Sequence, residues 1–251
     1  MKINDAHFHL DNNVKLRDAV KKLNTTIEEN SISSTMVISL LDEPWVYKDL
    51  CMELNGMDGV KYIREIKPTN RYKQDLDEIL TSRAIGIKLH PRLRKFNLND
   101  KHIHKIIEKI SSSNLIIVIC AFWDGTWNKF GLDINQYADL ADAYPEQKFI
   151  WAHSGGHKVL DFMLMARSRK NVFLDTSFTQ HYFYGGSVFS NLTYSIDSLS
   201  DRFLFGSDFE NRNYKNTLED VISRYNSLGL SPDNLNKIMY SNYEKLVLRY
   251  D

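Results

Sequence analysis

Eight short, mostly apolar runs alternate with stretches whose apolar residues recur at helical spacing. The runs expected as strands are 3–9, 35–40, 62–68, 85–90, 115–120, 149–153, 172–176 and 203–208. Amphipathic stretches fall at 15–29, 45–55, 71–82, 100–111, 133–143, 158–168 and 214–226, and 231–247 follows the last of them. In KHIHKIIEKI, Ile103, Ile106, Ile107 and Ile110 repeat at helical spacing with Lys and Glu on the opposite face. LIIVIC and FIWAH are short and rich in apolar residues, as parallel strands buried on both faces require. Regular β-then-α alternation predicts a parallel sheet, and eight units close into a (β/α)8, or TIM, barrel of the α/β class. The third run, YIREIKP, is interrupted by Arg64 and Glu65. No linker, charge block or low-complexity run divides the chain, so one domain is expected over residues 1–251. A doubly wound open sheet is the rival, but no GxGxxG or GxxxxGK[ST] turn follows the first run.

Charge excludes some partners. Lys plus Arg number 32 and Asp plus Glu number 32, a balance that gives no basic face for nucleic acid or an anionic membrane. No run approaches the roughly 20 apolar residues of a membrane helix. The opening MKINDAHFHL carries charge and histidine where a signal peptide needs an apolar core. Cys51 and Cys120 are too few for a disulfide framework and suit a reducing cytoplasm. The expectation is a cytoplasmic protein with a small-molecule substrate and neither nucleic acid nor membrane as partner. Assembly with identical copies is left open.

Four polar clusters fall at the C-terminal ends of expected strands: Asp5 to His9, Lys88 to Pro91, His153 to Gly156, and Gly206 to Asp208. Barrel enzymes build their sites at that end, where loops vary and strands stay rigid. His7 and His9 are two apart on a strand, so both rings should face the barrel axis. Two buried imidazoles need a partner, and a divalent metal is one; the competing reading is a pair of hydrogen-bonded core histidines. Asp208, on the last strand, should close beside the first and offer a carboxylate as ligand or proton acceptor. Against that stands a helix N-cap role.

His153 is a candidate ligand or substrate contact, and Gly155 and Gly156 allow a close turn. Lys88 and His90 should point inward together, Lys88 as anchor for a substrate carboxylate or as a carboxylated bridge, His90 as acid/base or secondary ligand. An internal salt bridge from Lys88 to Asp5 or Asp208 competes. Arg92, Arg94, Trp123, Trp127 and the HYFYGG stretch at 181–186 lie in expected loops, where they could line a pocket for an anionic or aromatic substrate. His102 and His104 are expected on the surface, His157 at a helix start, and Cys51 in a helix core.

DAHFH, GIKLHPR, AHSGG, FGSDF and the closing KIMYSNYEKLV, in that order, resemble the amidohydrolase superfamily, in its amidohydrolase-related branch of short single-domain members. The resemblance implies a divalent metal held by His7, His9 and Asp208, with His153 close by as the sixth-strand histidine. Zn²⁺ comes first as the ion, with Mn²⁺ or Fe²⁺ as alternatives. The family's fifth-strand histidine is missing from this chain, where the strand reads LIIVIC; Cys120 is the nearest substitute, as a thiolate ligand or as packing.

Three functions follow. The first is a metal-dependent hydrolase of an amide, lactone or ester-like bond, with Asp208 as proton acceptor and His153, His90, Lys88, Arg92 and Trp123 serving the substrate. The second is a metal-dependent decarboxylase of an aromatic or conjugated acid. The third is a non-catalytic ligand-binding barrel with a degenerate metal site.

Overall fold

A computed structural model describes residues 1–69, 71–123, 133–209 and 214–247. It contains eight parallel strands in sequential order: β1 Ile3–Phe8, β2 Ile32–Ser39, β3 Val60–Glu65, β4 Gly86–Leu89, β5 Ile116–Cys120, β6 Phe149–Ala152, β7 Val172–Asp175 and β8 Phe203–Leu204. The ring closes where the Ala6 N–H donates to Phe205 O (2.8 Å), the Asp208 N–H donates to His7 O (2.8 Å), and Phe8 bridges Phe209. This is the (β/α)8 barrel of the sequence reading.

The helices are α1 Leu16–Glu29, α2 Tyr47–Leu54, α3 Tyr72–Leu80, α4 Pro91–Arg94, α5 Lys101–Ile110, α6 Asn135–Ala143, α7 Val159–Arg167, α8 Thr179–Tyr182, α9 Ser187–Ser198, α10 Tyr214–Ser227, α11 Pro232–Asn236 and α12 Asn242–Val247. In α5 the four isoleucines are fully buried, and the Asp100 side chain caps the helix by accepting from the His102 N–H (2.8 Å). The stretch at 231–247 is α11 and α12 joined by a π-helical turn at Lys237–Ser241. No described helix is long and apolar enough to cross a membrane.

Two features escaped the sequence pattern. The segment between β7 and β8 holds α8 and α9. Helix α9, SVFSNLTYSIDS, has a single charged residue and is rich in hydroxyl side chains, which look like a loop. Yet Phe189, Leu192 and Ile196 are all fully buried, at helical spacing. The second feature is in β3, which begins at Val60, two residues before the expected start. The charges that interrupt the run serve opposite faces. Arg64 lies outside, 4.0 Å over the Tyr47 ring and paired with Glu78, while Glu65 is fully buried.

The lower barrel is filled by inward residues such as Met36, Ile63, Val118 and Ile150, packed against Tyr243, Leu246 and Val247 of α12. The last helix therefore plugs the N-terminal mouth. Asn4 fastens it by donating to Glu244 Oε1 (2.6 Å). The opposite mouth stays open for a site.

Candidate metal centre

The β1–β2 ladder slips between Asp5 and Phe8, a bulge that changes which side chains face inward. Below it, Ala6 packs in the inner cluster; above it, His7 and His9 face the cavity. Strict alternation would have sent Ala6 and His7 to opposite sides. Asp5 closes the bulge by accepting from the His7 N–H (3.0 Å), the Ser207 N–H (2.9 Å) and the Tyr214 hydroxyl (3.0 Å). Burial pushes its carboxyl up to about 6 in spite of these bonds. Asp5 is thus a brace between β1 and the β8 end. Gly206 completes the seam, because a Cβ there would lie 2.8 Å from His7 Cβ.

Three donor atoms converge at this seam. His7 Nε2 and His9 Nε2 are 3.2 Å apart, and Asp208 Oδ1 lies 3.4 Å from the first and 3.6 Å from the second. Around a tetrahedral Zn²⁺ with bonds of about 2.1 Å, neighbouring donors stand about 3.4 Å apart. The other ring nitrogens settle the tautomers. His7 Nδ1–H donates to Asp175 Oδ2 (2.9 Å) and His9 Nδ1–H donates to Ile38 O (2.9 Å). A carboxylate and a carbonyl only accept, so both Nε2 atoms present lone pairs. Two lone pairs and a carboxylate oxygen aimed at one point require a cation. Lys88 Nζ comes within 3.5 Å of His7 Nε2 but makes no hydrogen bond or ion pair to His9 or Asp208 among the described residues. The residues fit a divalent metal.

Asp175 is a site residue that the sequence patterns did not single out. It ends β7 fully buried and accepts from His7 Nδ1–H, from the His153 N–H (2.9 Å), from the Ser177 N–H (3.0 Å) and from the Ser177 hydroxyl. Burial opposes its charge, but His7, His153 and Lys88 together hold the carboxyl well below its usual range. The available signal was its position at a strand's C-terminal end, shared with the four clusters already noted.

His153 donates to or accepts from Ser177 Oγ through Nδ1 (2.8 Å), and its ring lies 4.9 Å from that of His7. It stands at a left-handed backbone position (φ 65°), as do Ser154, Phe178 and Asp208 (φ 49°, 56° and 53°). Such conformations in larger residues cost free energy and gather at functional sites. Gly155 follows with φ 84°, where a Cβ would fall 2.1 Å from the Phe162 ring. Asp208 is no N-cap, since the residue after it, Phe209, is held in a β-bridge to Phe8. Burial favours its neutral form, yet His153, His7, His9 and Lys88 keep its proton affinity low.

These groups open on a cavity of about 330 Å³, lined also by Leu40, Lys88, His90, Arg92, Leu93, Phe122, Phe178 and His181. Of the pocket residues expected from sequence, Lys88, His90, Arg92 and, from the HYFYGG stretch, His181 reach it. Lys88 has no salt bridge to Asp5 or Asp208 among the described residues. Trp123 lies outside the lining, bridged to Gly156 with Lys158 over its ring. Arg94 is bound elsewhere: it donates to Glu65 Oε1 (2.7 Å) and Oε2 (2.6 Å) and to Asp42. Cys120 is fully buried at the end of β5 and joins neither group of metal-capable side chains among the described residues. His102 and His104 pair with Asp100 and Tyr144 away from the cavity, and His157 is exposed. Cys51 is buried in α2, and Trp127 lies outside the described residues.

Burial, then the nearby Lys88 charge, push His7 down to about 3. An unfolded histidine titrates near 6.5, so acid protonates the unfolded chain before His7 can charge in place. Stability from this group is complete above about 6.5 and is lost as pH falls toward 3. Asp5 acts in the opposite direction between about 4 and 6, with the smaller shift. Metal-stripped protein is therefore expected to show a lower urea midpoint at pH 5 than at pH 7. The difference should shrink in His7→Asn; a variant as pH-sensitive as the wild type contradicts the assignment.

Comparison with known proteins bears on the fold and the family. Residues 69–248 match the amidohydrolase family model. The chain belongs to the amidohydrolase family, as a single (β/α)8 barrel. No curated protein matches it by sequence. Among solved structures, an uncharacterised TIM-barrel protein of Bordetella bronchiseptica superposes with a TM-score of 0.79 at 16% identity, covering 100% of this chain and 99% of that one. A probable 2-pyrone-4,6-dicarboxylic acid hydrolase of Acinetobacter baumannii, with citric acid bound, gives 0.71 at 14% identity over 98% and 99%. A Burkholderia multivorans amidohydrolase with bound zinc gives 0.68 at 11% identity over 99% of each chain.

Proposed function

We propose that this chain is a metal-dependent hydrolase of a small anionic molecule, cleaving an amide, lactone or ester-like bond. The observation that carries the proposal is the convergence of His7 Nε2, His9 Nε2 and Asp208 Oδ1 within 3.6 Å of one another. Zn²⁺ suits two imidazoles and a carboxylate, with Mn²⁺ or Fe²⁺ as alternatives. When bound, such an ion supplies Lewis acidity and makes water nucleophilic near neutral pH.

The side chains divide the remaining work. Asp208, ionised and partly open to the cavity, takes a proton from the attacking water and returns it to the leaving group. Lys88 and Arg92 are the cationic residues of the lining and hold the substrate's negative charge, with His90 beside them. His153, fixed by Ser177, faces the reacting carbonyl and polarises it. Phe122 and Phe178, with ring centroids 4.8 Å apart, form an apolar wall. That wall beside Arg92 is the observation that favours the second reading, decarboxylation of an aromatic acid; release of CO2 without water uptake would select it. Two buried free cysteines suit a cytoplasmic setting.

The decisive experiment is elemental analysis of purified protein, followed by a panel of lactones, esters and amides. Wild-type protein should hold about one ion per chain, and His7→Ala close to none, with the fold unchanged by circular dichroism. Wild-type protein that stays metal-free after incubation with Zn²⁺ or Mn²⁺ would instead favour a ligand-binding barrel.

A further inference from the structure

The fifth strand supplies no histidine, yet something must occupy its place beside the metal centre. Cys120 ends β5 facing inward, after the inward residues Ile116 and Val118. Its register sets its neighbours. Cys120 pairs with Ala152, the residue before His153, and Ile119 pairs with Leu89, the residue before His90. At the strand ends the order is therefore His90, Cys120, His153. Burial opposes ionisation of the thiol, yet the nearness of the His90 and His153 imidazoles holds its proton affinity well below the usual thiol range. His90 and His153 line the cavity, whereas Cys120 is fully buried and is not among the lining residues.

Reach separates the two roles a thiol could take here. A thiolate and an imidazole on one Zn²⁺, with bonds of about 2.3 and 2.1 Å, stand about 3.6 Å apart. Two groups of described residues have donor atoms within 4.8 Å of one another: His7, His9 and Asp208, and His7, His153 and Asp175. The Cys120 sulfur belongs to neither, although it lies in the same barrel mouth.

We infer that Cys120 is a positioning residue for His90 and His153 and not a metal ligand, so that the centre is held by His7, His9 and Asp208. This rests on the metal-centre reading above. The thiol sits behind the cavity wall and fixes two rings at once. His153 is pinned from the other side by Ser177, while His90 Nδ1 has no hydrogen-bond partner among the described residues. The thiol, next to His90 in strand register, is the group we assign to orient that ring. A serine could keep part of this arrangement; an alanine could not.

Three measurements on the full chain test it. Loaded with Co²⁺, the wild-type protein should show no thiolate-to-cobalt charge-transfer band in the near ultraviolet. Cys120→Ala should bind Zn²⁺ within about threefold of wild type, because losing even an outer partner of a ligand costs about 10–100-fold and losing a ligand costs at least that. The ring ¹⁵N resonances of His90 and His153 should move in Cys120→Ala and return toward wild type in Cys120→Ser. A charge-transfer band that disappears in Cys120→Ala overturns the inference, as does a tenfold or greater loss of Zn²⁺ affinity in a folded variant. Unmoved histidine resonances also overturn it, since a thiol that merely fills space would leave them in place. Wild-type protein that takes up neither ion removes the metal reading itself, a result distinct from metal bound through sulfur.

Discussion

Asp208→Asn should cut turnover by about 10³-fold on whichever ester, lactone or amide the wild type cleaves, because a positioned proton acceptor contributes about 10²–10⁴-fold. The substitution keeps size and a carbonyl oxygen near His7 and His9 but removes the group that can take a proton. Its effect should fall on kcat with KM little changed, since substrate charge is assigned to Lys88 and Arg92 and not to Asp208. Circular dichroism should match the wild type, as the backbone contact at this residue is its N–H, donated to His7 O. The same variant also tests the decarboxylase reading, in which no water is activated. Turnover at the wild-type rate would remove Asp208 from the chemistry.

The second large effect concerns stability at the rim. Glu65 is fully buried at the end of β3, and its carboxylate accepts two bonds from Arg94 and one from the Leu41 N–H (2.9 Å). Arg94→Met leaves that carboxylate buried with its cation gone, a change that costs about 3–5 kcal/mol. For a chain of this size the melting temperature should fall by about 10 °C. Asp42 also binds Arg94, but its side chain is 69% exposed, so Asp42→Ala should cost less than about 1 kcal/mol. Thermal and urea denaturation of the two variants measure the contrast. Similar small losses in both would mean that water reaches Glu65 when Arg94 is gone.

The barrel was legible because buried parallel strands such as β5 are written as apolar runs and α5 as a four-isoleucine stripe. His7, His9 and Asp208 were legible because strand parity and barrel closure bring ends of the chain together. The bulge in β1 was hidden: it rests on Asp5 accepting a backbone bond from Ser207, just past β8, and no local pattern encodes that. Asp175 was hidden for a related reason, since a single acidic residue at the end of an expected strand carries no motif of its own. Glu65 looked like an interruption of its strand because its partner, Arg94, lies 29 residues away. In each case the missing information was a pairing between distant residues.

Asp175 ties His7, the turn at His153 and Ser177 into one unit, so the two sides of the barrel mouth differ in how freely they can evolve. A change at any member of that unit disturbs the others, and the β1, β6, β7 and β8 side can tolerate little drift. Leu40, Arg92, Leu93 and His181 line the same cavity outside the unit. Selection could exchange them one at a time, altering which molecules are accepted while the ion-holding side stays as it is. Divergence among proteins with this arrangement should therefore concentrate on that outer arc.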